Sequence, residues 1–187
     1  MSHYTSIGID PGASTGVAVV RGELTPRGSM RFSVVWVESV FGSTKRLLWT
    51  RMKQAAMVAR GHAGDAGVFY IETISPTIRK GSIEGVRDGM SAWAGLGQHR
   101  GLALAAAMEA DLPVEDIAQR EWARSLPISR AKGVDVDRVA EAGRLVAGAA
   151  DALNALDASS EAARSRRVDV AEAVLIAAAG CLVTARR

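Results

Sequence analysis

Four acidic residues stand where side chains from different elements could meet. Asp10 ends the apolar run TSIGID, and Glu72 ends the run GVFYIE. Asp169 and Glu172 lie three residues apart, so on a helix they share one face. Four carboxylates at close range repel one another in a partly dehydrated pocket, and divalent cations relieve that repulsion. The pattern predicts a Mg²⁺ site with two ions, because Mg²⁺ prefers oxygen ligands and an ion pair supports phosphodiester hydrolysis.

Each acid also has an ordinary structural explanation. Asp10 precedes Pro-Gly, a common turn, and Glu72 could be a solvated residue at a strand end. Asp169 suits the start of a helix, where an acid opposes the dipole, and Glu172 could lie on an exposed face. The metal-site interpretation therefore requires the first and fourth strands to be neighbours, so that their ends present side chains together.

The elements that must position the acids follow from the apolar pattern. A short turn, PGAST, joins the first two strands and predicts an antiparallel hairpin. Three strands followed by strands that alternate with helices predict an α/β fold, with a mixed sheet flanked by helices. Strands are predicted over 5–10, 16–21, 30–38, 67–72 and 113–117, and helices over 43–61, 85–110, 119–126, 134–156 and 168–184.

Composition excludes several classes of protein. The 187 residues are 48% hydrophobic, which suits one domain over 1–187 and excludes a largely disordered chain. No apolar run approaches the roughly 18 residues of a membrane span, and no secretory signal is visible. The single cysteine, Cys181, excludes an internal disulfide and predicts a reducing cytoplasm. The bias towards Ala and Arg indicates a phage or a bacterium with a high-GC genome, so the expected compartment is a bacterial cytoplasm or a phage-infected cell. The net charge of +3, mostly from arginine, suits nucleic acid or reflects genome composition.

Four stretches of the chain, in order, resemble the RuvC family of Holliday junction resolvases in the RNase H-like superfamily. They are IGIDPGASTGVAVV, FYIET, LGQHRGLALAAAMEADLPV and VDVAEAVLIAAAG. The resemblance implies an RNase H-like five-stranded mixed sheet flanked by helices. It also implies a homodimer through helix 85–110 and symmetric nicking of four-way DNA junctions in recombination and repair, with Mg²⁺ or Mn²⁺. Carried over by position, the catalytic metal ligands are Asp10, Glu72, Asp169 and Glu172, and the products carry a 5′-phosphate and a 3′-hydroxyl.

The chain departs from the family pattern in three places. The last acid is often aspartate in the family and is Glu172 here. Some relatives carry an aromatic wedge in the loop after the second acid, where this chain offers only Ile74 or Ile78 as an apolar wedge. Residues 146–164 are longer than the corresponding link in the family, and no function is assigned to them.

Basic residues near the acids are candidates for contacts with the DNA backbone. Lys132 fits one of the family's basic positions after the fifth strand, and Arg124 or Arg120 could take another. Three arginines before Asp169 either bind DNA or offset the acids, and His99 is expected to be structural. The predicted DNA contacts are Arg79, Lys80, Arg124, Arg130 and Lys132.

Two other functions remain open. The chain could be a structure-selective nuclease of the same superfamily that acts on flaps, forks or RNA–DNA hybrids. It could also be a catalytically inactive junction-binding protein, although four retained acids speak against that.

Overall fold

Six strands and six helices are present in the computed structural model, which describes residues 2–12, 14–73, 83–128 and 137–187. The strands are β1 (His3–Pro11), β2 (Thr15–Leu24), β3 (Met30–Val40), β4 (Val68–Thr73), β5 (Val114–Ala118) and β6 (Val146–Ala147). The helices are α1 (Lys45–Ala63), α2 (Ile83–Glu109), α3 (Gln119–Ser125), α4 (Arg138–Leu145), α5 (Ala149–Asn154) and α6 (Glu161–Thr184).

All six strands form one mixed sheet in the order β5-β4-β1-β2-β3-β6. The β1–β2 and β2–β3 pairs are antiparallel, whereas β4 lies parallel to both β1 and β5. The predicted hairpin is therefore confirmed, and so is the neighbouring position of the first and fourth strands. The α/β class is also confirmed; the sheet has six strands where five were expected, because the two-residue β6 adds to the edge of β3.

Helices cover both faces of the sheet, which explains why the central strands are apolar without a break. Ile7 and Val19 face a core formed with α1 and α2, where Met52 is buried. Ala18 and Val20 face the opposite core, which α6 dominates. No helix in the described ranges has the length and apolar character needed to cross a membrane.

Helix α6 lies directly on the strands because two glycines leave room for its backbone. A Cβ atom on Gly8 would lie 2.1 Å from the carbonyl oxygen of Ala173, and one on Gly16 would lie 2.2 Å from that of Asp169. The chain from Val170 to Cys181 is almost continuously buried as a result. The close approach fixes the position of the acidic residues on α6 relative to β1 and β2.

Two predicted helices differ from the observed ones. The helix predicted over 134–156 is divided into α4 and α5 by β6, where Gly148 adopts a φ of +78° that ends helical geometry. The final helix begins at Glu161, earlier than predicted, because the Ser160 hydroxyl accepts a hydrogen bond from the Ala163 amide and caps it. Most of the long 146–164 stretch is therefore ordered structure on the α6 side of the sheet.

Candidate active site

Asp10 is buried at the end of β1, with 8% of its surface exposed. The loop that follows is held in place, because the Gly12 amide donates to the Asp10 carbonyl at 3.0 Å. His99 on α2 also contacts this loop through its Nδ1 atom, 2.5 Å from the Gly12 carbonyl oxygen. His99 thus has the structural role that its sequence context predicts.

Glu72 reaches the same place from the neighbouring strand. Ile9 pairs with Ile71 in the parallel β1–β4 register. The next residue on each strand is an acid, so Asp10 and Glu72 are neighbours on adjacent strands. The Nε1 atom of Trp122, a fully buried residue of α3, donates to Glu72 Oε1 at 3.0 Å. This contact holds one carboxylate oxygen of Glu72 in a fixed direction.

The two acids of α6 complete the cluster, which we call the acid cluster: Asp10, Glu72, Asp169 and Glu172. The hydroxyl of Ser14, in the hairpin turn, donates to Asp169 Oδ2. Glu172 accepts a hydrogen bond from Arg138 Nε at 3.3 Å.

The charges of the other three acids all act on Asp10. Burial raises the pKa of Asp10 well above its usual value, and the charges of Glu172, Glu72 and Asp169 raise it further. The Asp10 and Glu72 carboxyl groups also share a hydrogen bond, which raises the pKa of Asp10 and lowers that of Glu72. Asp10 is therefore the member of the cluster that most readily holds a proton when no cation is present.

Burial is also the main reason why the other three acids have raised pKa values. The pKa of Glu72 is raised by burial against the lowering effect of Trp122. That of Asp169 is raised by burial against Ser14 and the charge of Arg166. Burial raises the pKa of Glu172, the charge of Glu72 adds to this, and Arg138 opposes it. The protein thus concentrates four acids that it only partly neutralises.

Arg138 is the internal cation of the site, and the sequence analysis did not select it. Its Nη1 donates to Glu141 Oε2 at 2.8 Å, and its Nε donates to Glu172. Its guanidinium carbon lies 5.4 Å from the ring centre of Trp122, the residue that holds Glu72. The only sequence signal for this role is an arginine in the first turn of a helix that follows a polar segment.

The acid cluster fits a divalent cation in its donor atoms. Carboxylate oxygens are the ligands that Mg²⁺ and Mn²⁺ prefer. Within the described ranges, no three acid, histidine or cysteine side chains already close into a complete ligand set. Trp122, Ser14 and Arg138 each hold one acid through a hydrogen bond, and the bond from the Arg138 guanidinium is the one that sets a positive charge against a ligand. Cation binding would therefore require Glu172 to exchange Arg138 for the metal.

Of the remaining predicted site residues, some lie in the described part of the chain and the others lie outside it. Arg124 is exposed in the last turn of α3, two residues beyond Trp122. Burial raises the pKa of Asp169 and the charge of Arg166 opposes this, so Arg166 partly offsets that acid. The other predictions lie outside the described residues: Ile74, Ile78, Arg79, Lys80, Arg130 and Lys132.

Helix α2, which was predicted to form the homodimer interface, packs against the sheet in the part whose side chains the structure describes. In its second half, Ala103, Ala106 and Ala107 are buried against the sheet, whereas Met108 remains 65% exposed. One face of α2 therefore serves the core. Its use as a homodimer interface stays a prediction.

Gly16→Ala is expected to displace Asp169 and to destabilise the protein. The added methyl group would collide with the Asp169 carbonyl, and overpacking of this kind costs about 1–3 kcal/mol of unfolding free energy. Urea denaturation followed by circular dichroism measures the change. Gly61→Ala is the control, because a Cβ atom on Gly61 would meet nothing within 4 Å. Equal stabilities for the two variants would contradict the close packing of α6.

Comparisons with known proteins identify the fold. Thermus thermophilus RuvC is 16% identical, with a TM-score of 0.63 over 97% of this chain and 96% of that one. The structure of T. thermophilus RuvC in complex with a Holliday junction substrate has 16% identity, a TM-score of 0.62 and the same coverage. The yeast mitochondrial Holliday junction resolvase Ydc2 is 13% identical, with a TM-score of 0.51 over 98% of this chain and 80% of that one. No family model matches the sequence, and no curated protein matches it. On the strength of its topology, the chain has the fold of RuvC.

Proposed function

We propose that this protein is a metal-dependent endonuclease that resolves four-way DNA junctions. The observation that carries the proposal is the convergence of four acids from β1, β4 and α6 at one end of the sheet. Two comparisons support the proposal. The chain has the fold of RuvC along almost its whole length, and the Thermus protein with that fold has been seen in complex with a Holliday junction substrate.

Each acid has a distinct part in the proposed reaction. Asp10 is buried and feels the charges of the other three acids, so it would be a central ligand of a bound cation. Glu72 and Asp169 approach from opposite sides, each oriented by a neutral donor, Trp122 or Ser14. Glu172 completes the set, and its longer side chain is paired with Arg138 when no metal is present.

Bound Mg²⁺ or Mn²⁺ would activate the attacking water and stabilise the leaving oxygen, giving 5′-phosphate and 3′-hydroxyl ends. The chain's own contribution would be four partly buried carboxylates whose raised pKa values a bound cation would lower, which would favour their ionised forms. The fixed orientation of Glu72 and Asp169 lowers the cost of arranging ligands at the moment of reaction.

Symmetric nicking requires two such sites, one for each of two opposed strands. A homodimer through the region of α2 would supply them, and this assembly is part of the proposal. The apolar, exposed Met108 on α2 is consistent with a partner on that side.

A gel assay on a labelled synthetic four-way junction tests the function. We expect paired nicks in Mg²⁺ or Mn²⁺ and none in EDTA. Flap, fork and RNA–DNA hybrid substrates in parallel lanes test selectivity. Faster cutting of the hybrid or the flap would replace junction resolution with the broader nuclease function, and binding without cutting in either metal would indicate an inactive junction-binding protein.

Arg138→Gln is expected to tighten Mn²⁺ binding about three- to tenfold. The guanidinium group competes with the metal for Glu172, and a partly buried charge pair of this kind is worth on the order of 1 kcal/mol. Calorimetric titration and the rise in melting temperature on adding Mn²⁺ both measure the effect. Arg144→Gln is the matched control, because Arg144 lies on the same helix and donates to the Pro127 carbonyl. Identical Mn²⁺ affinity in wild type and Arg138→Gln would contradict the competition.

A further inference from the structure

A cavity lies between the end of β3 and the first turns of α6. Its volume is about 300 Å³, at the lower end of the range for small-molecule sites. Ser39 and Phe41 line it on the β3 side, and Arg166 and Arg167 line it on the α6 side. We call it the Phe41 pocket.

The register of the sheet places this pocket close to the proposed cutting site. Asp10, Gly16 and Ser39 are Cα partners across β1, β2 and β3. Adjacent strands are about 4.8 Å apart, so Ser39 lies about 10 Å from Asp10. Arg166 also stands one helical turn before Asp169, and its charge lowers the pKa of that acid.

The pocket offers a flat cationic surface. The Phe41 ring is 44% exposed, so part of its surface is open to a ligand. The guanidinium carbon of Arg166 lies 4.6 Å from the ring centre, and that of Arg51 lies 5.1 Å from it. Arginine stacked on an aromatic ring retains donors for a phosphate, and both groups present π surfaces on which a base can stack.

The cations at and beside the pocket outnumber its acids. Arg166 and Arg167 line the pocket together with Glu38 and Asp157, and Arg51 adds a third cation over the Phe41 ring. Burial raises the pKa of Glu38 and the charge of Arg51 opposes this, whereas hydrogen bonds from Ser159 lower the pKa of Asp157 and the charge of Arg166 adds to that effect. Within the described part of the chain, the buried Ser39 hydroxyl and Arg167 Nε have no hydrogen-bond partner.

We infer that the Phe41 pocket binds one nucleotide of the DNA strand that enters the acid cluster. The base stacks on the Phe41–arginine layer, and the adjoining phosphate contacts Arg166. A separation of about 10 Å corresponds to roughly three nucleotides at a rise of 3.4 Å per nucleotide. This inference rests on the proposed function, since it assumes that junction DNA reaches the acids.

The test is fluorescence anisotropy of a labelled four-way junction in EDTA, where cutting does not interfere. Phe41→Leu keeps apolar bulk and removes the aromatic face, so junction affinity is expected to fall about 5- to 20-fold. Phe41→Trp restores a stacking surface and is expected to bind within about twofold of wild type. Arg31→Gln is the control, because Arg31 is exposed at the opposite end of β3, about 30 Å away.

The outcomes are distinguishable. Weak binding by Phe41→Leu with recovery in Phe41→Trp supports the pocket. Wild-type affinity in Phe41→Leu overturns the inference and leaves the proposed function intact. Loss of affinity in both Phe41 variants overturns it as well, because that result points to local structure and not to stacking. Failure of the wild-type chain to bind the junction overturns the inference together with the proposed function.

Discussion

Asp10→Asn is expected to slow junction nicking at least about a thousandfold while junction affinity stays within about threefold of wild type. The charges of the other three acids act on Asp10, so the amide removes the carboxylate that would be a central ligand of the cations. The shape of the site is retained, because asparagine is isosteric with aspartate. Single-turnover cleavage in Mg²⁺ and anisotropy in EDTA measure the two quantities.

The same variant should be more stable than wild type when metal is absent. The folded-state pKa of Asp10 is raised, mainly by burial and then by the neighbouring acids. Asp10 therefore stabilises the folded state fully at pH values below its pKa in the unfolded chain. This stabilisation is lost as the pH rises through its pKa in the folded protein. In EDTA the wild-type melting temperature should fall from acidic to neutral pH, and Asp10→Asn should show a smaller fall.

Asp65→Asn is the control for both measurements, because Asp65 is fully exposed in the turn before β4, far from the acids. It should cut, bind and melt like wild type. Nicking by Asp10→Asn at the wild-type rate would remove Asp10 from the mechanism.

Trp122→Phe is expected to reduce nicking about 10- to 100-fold, the usual effect of losing a group that orients a metal ligand. Phenylalanine cannot donate to Glu72, and the contact between the ring and Arg138 weakens. Trp122 is a positioning residue, so the loss should be most severe at low metal concentration. The Mn²⁺ concentration for half-maximal cutting should rise, and excess Mn²⁺ should recover part of the rate.

Trp49→Phe is the control that distinguishes the loss of a hydrogen bond to a metal ligand from the loss of side-chain volume. Trp49 is a partly buried residue of α1 on the opposite face of the sheet, where Lys53 lies over its ring. Its replacement should leave the Mn²⁺ dependence unchanged. An unchanged Mn²⁺ requirement in Trp122→Phe, with activity lost in proportion to stability, would show that Trp122 only fills space.

Much of the fold was predictable because its central elements are determined locally. The apolar runs of β1, β2 and β4 are buried on both faces, so they appear as uninterrupted strands in the sequence. The break between α4 and α5 was missed because it depends on a two-residue strand that exists only through its pairing with β3. Alanine-rich composition alone favours one continuous helix there.

The positions of the acids were predictable from the sequence, but the residues that donate hydrogen bonds to them were not. Asp10 and Glu72 follow apolar strands, so their place at the sheet edge can be predicted from sequence. The contacts of Arg138 with Glu172 and of Ser14 with Asp169 join residues 34 and 155 positions apart. Such pairs are set by the way α6 packs across the strands, and neither partner carries a local signal of the contact.

Anomalous diffraction from wild-type crystals soaked in Mn²⁺ tests the central claim most directly. The account predicts anomalous density bounded by the four carboxylates, with Arg138 withdrawn from Glu172. Well-ordered acids that retain their contacts with Arg138, Trp122 and Ser14 at saturating Mn²⁺, with no anomalous density between them, would contradict it.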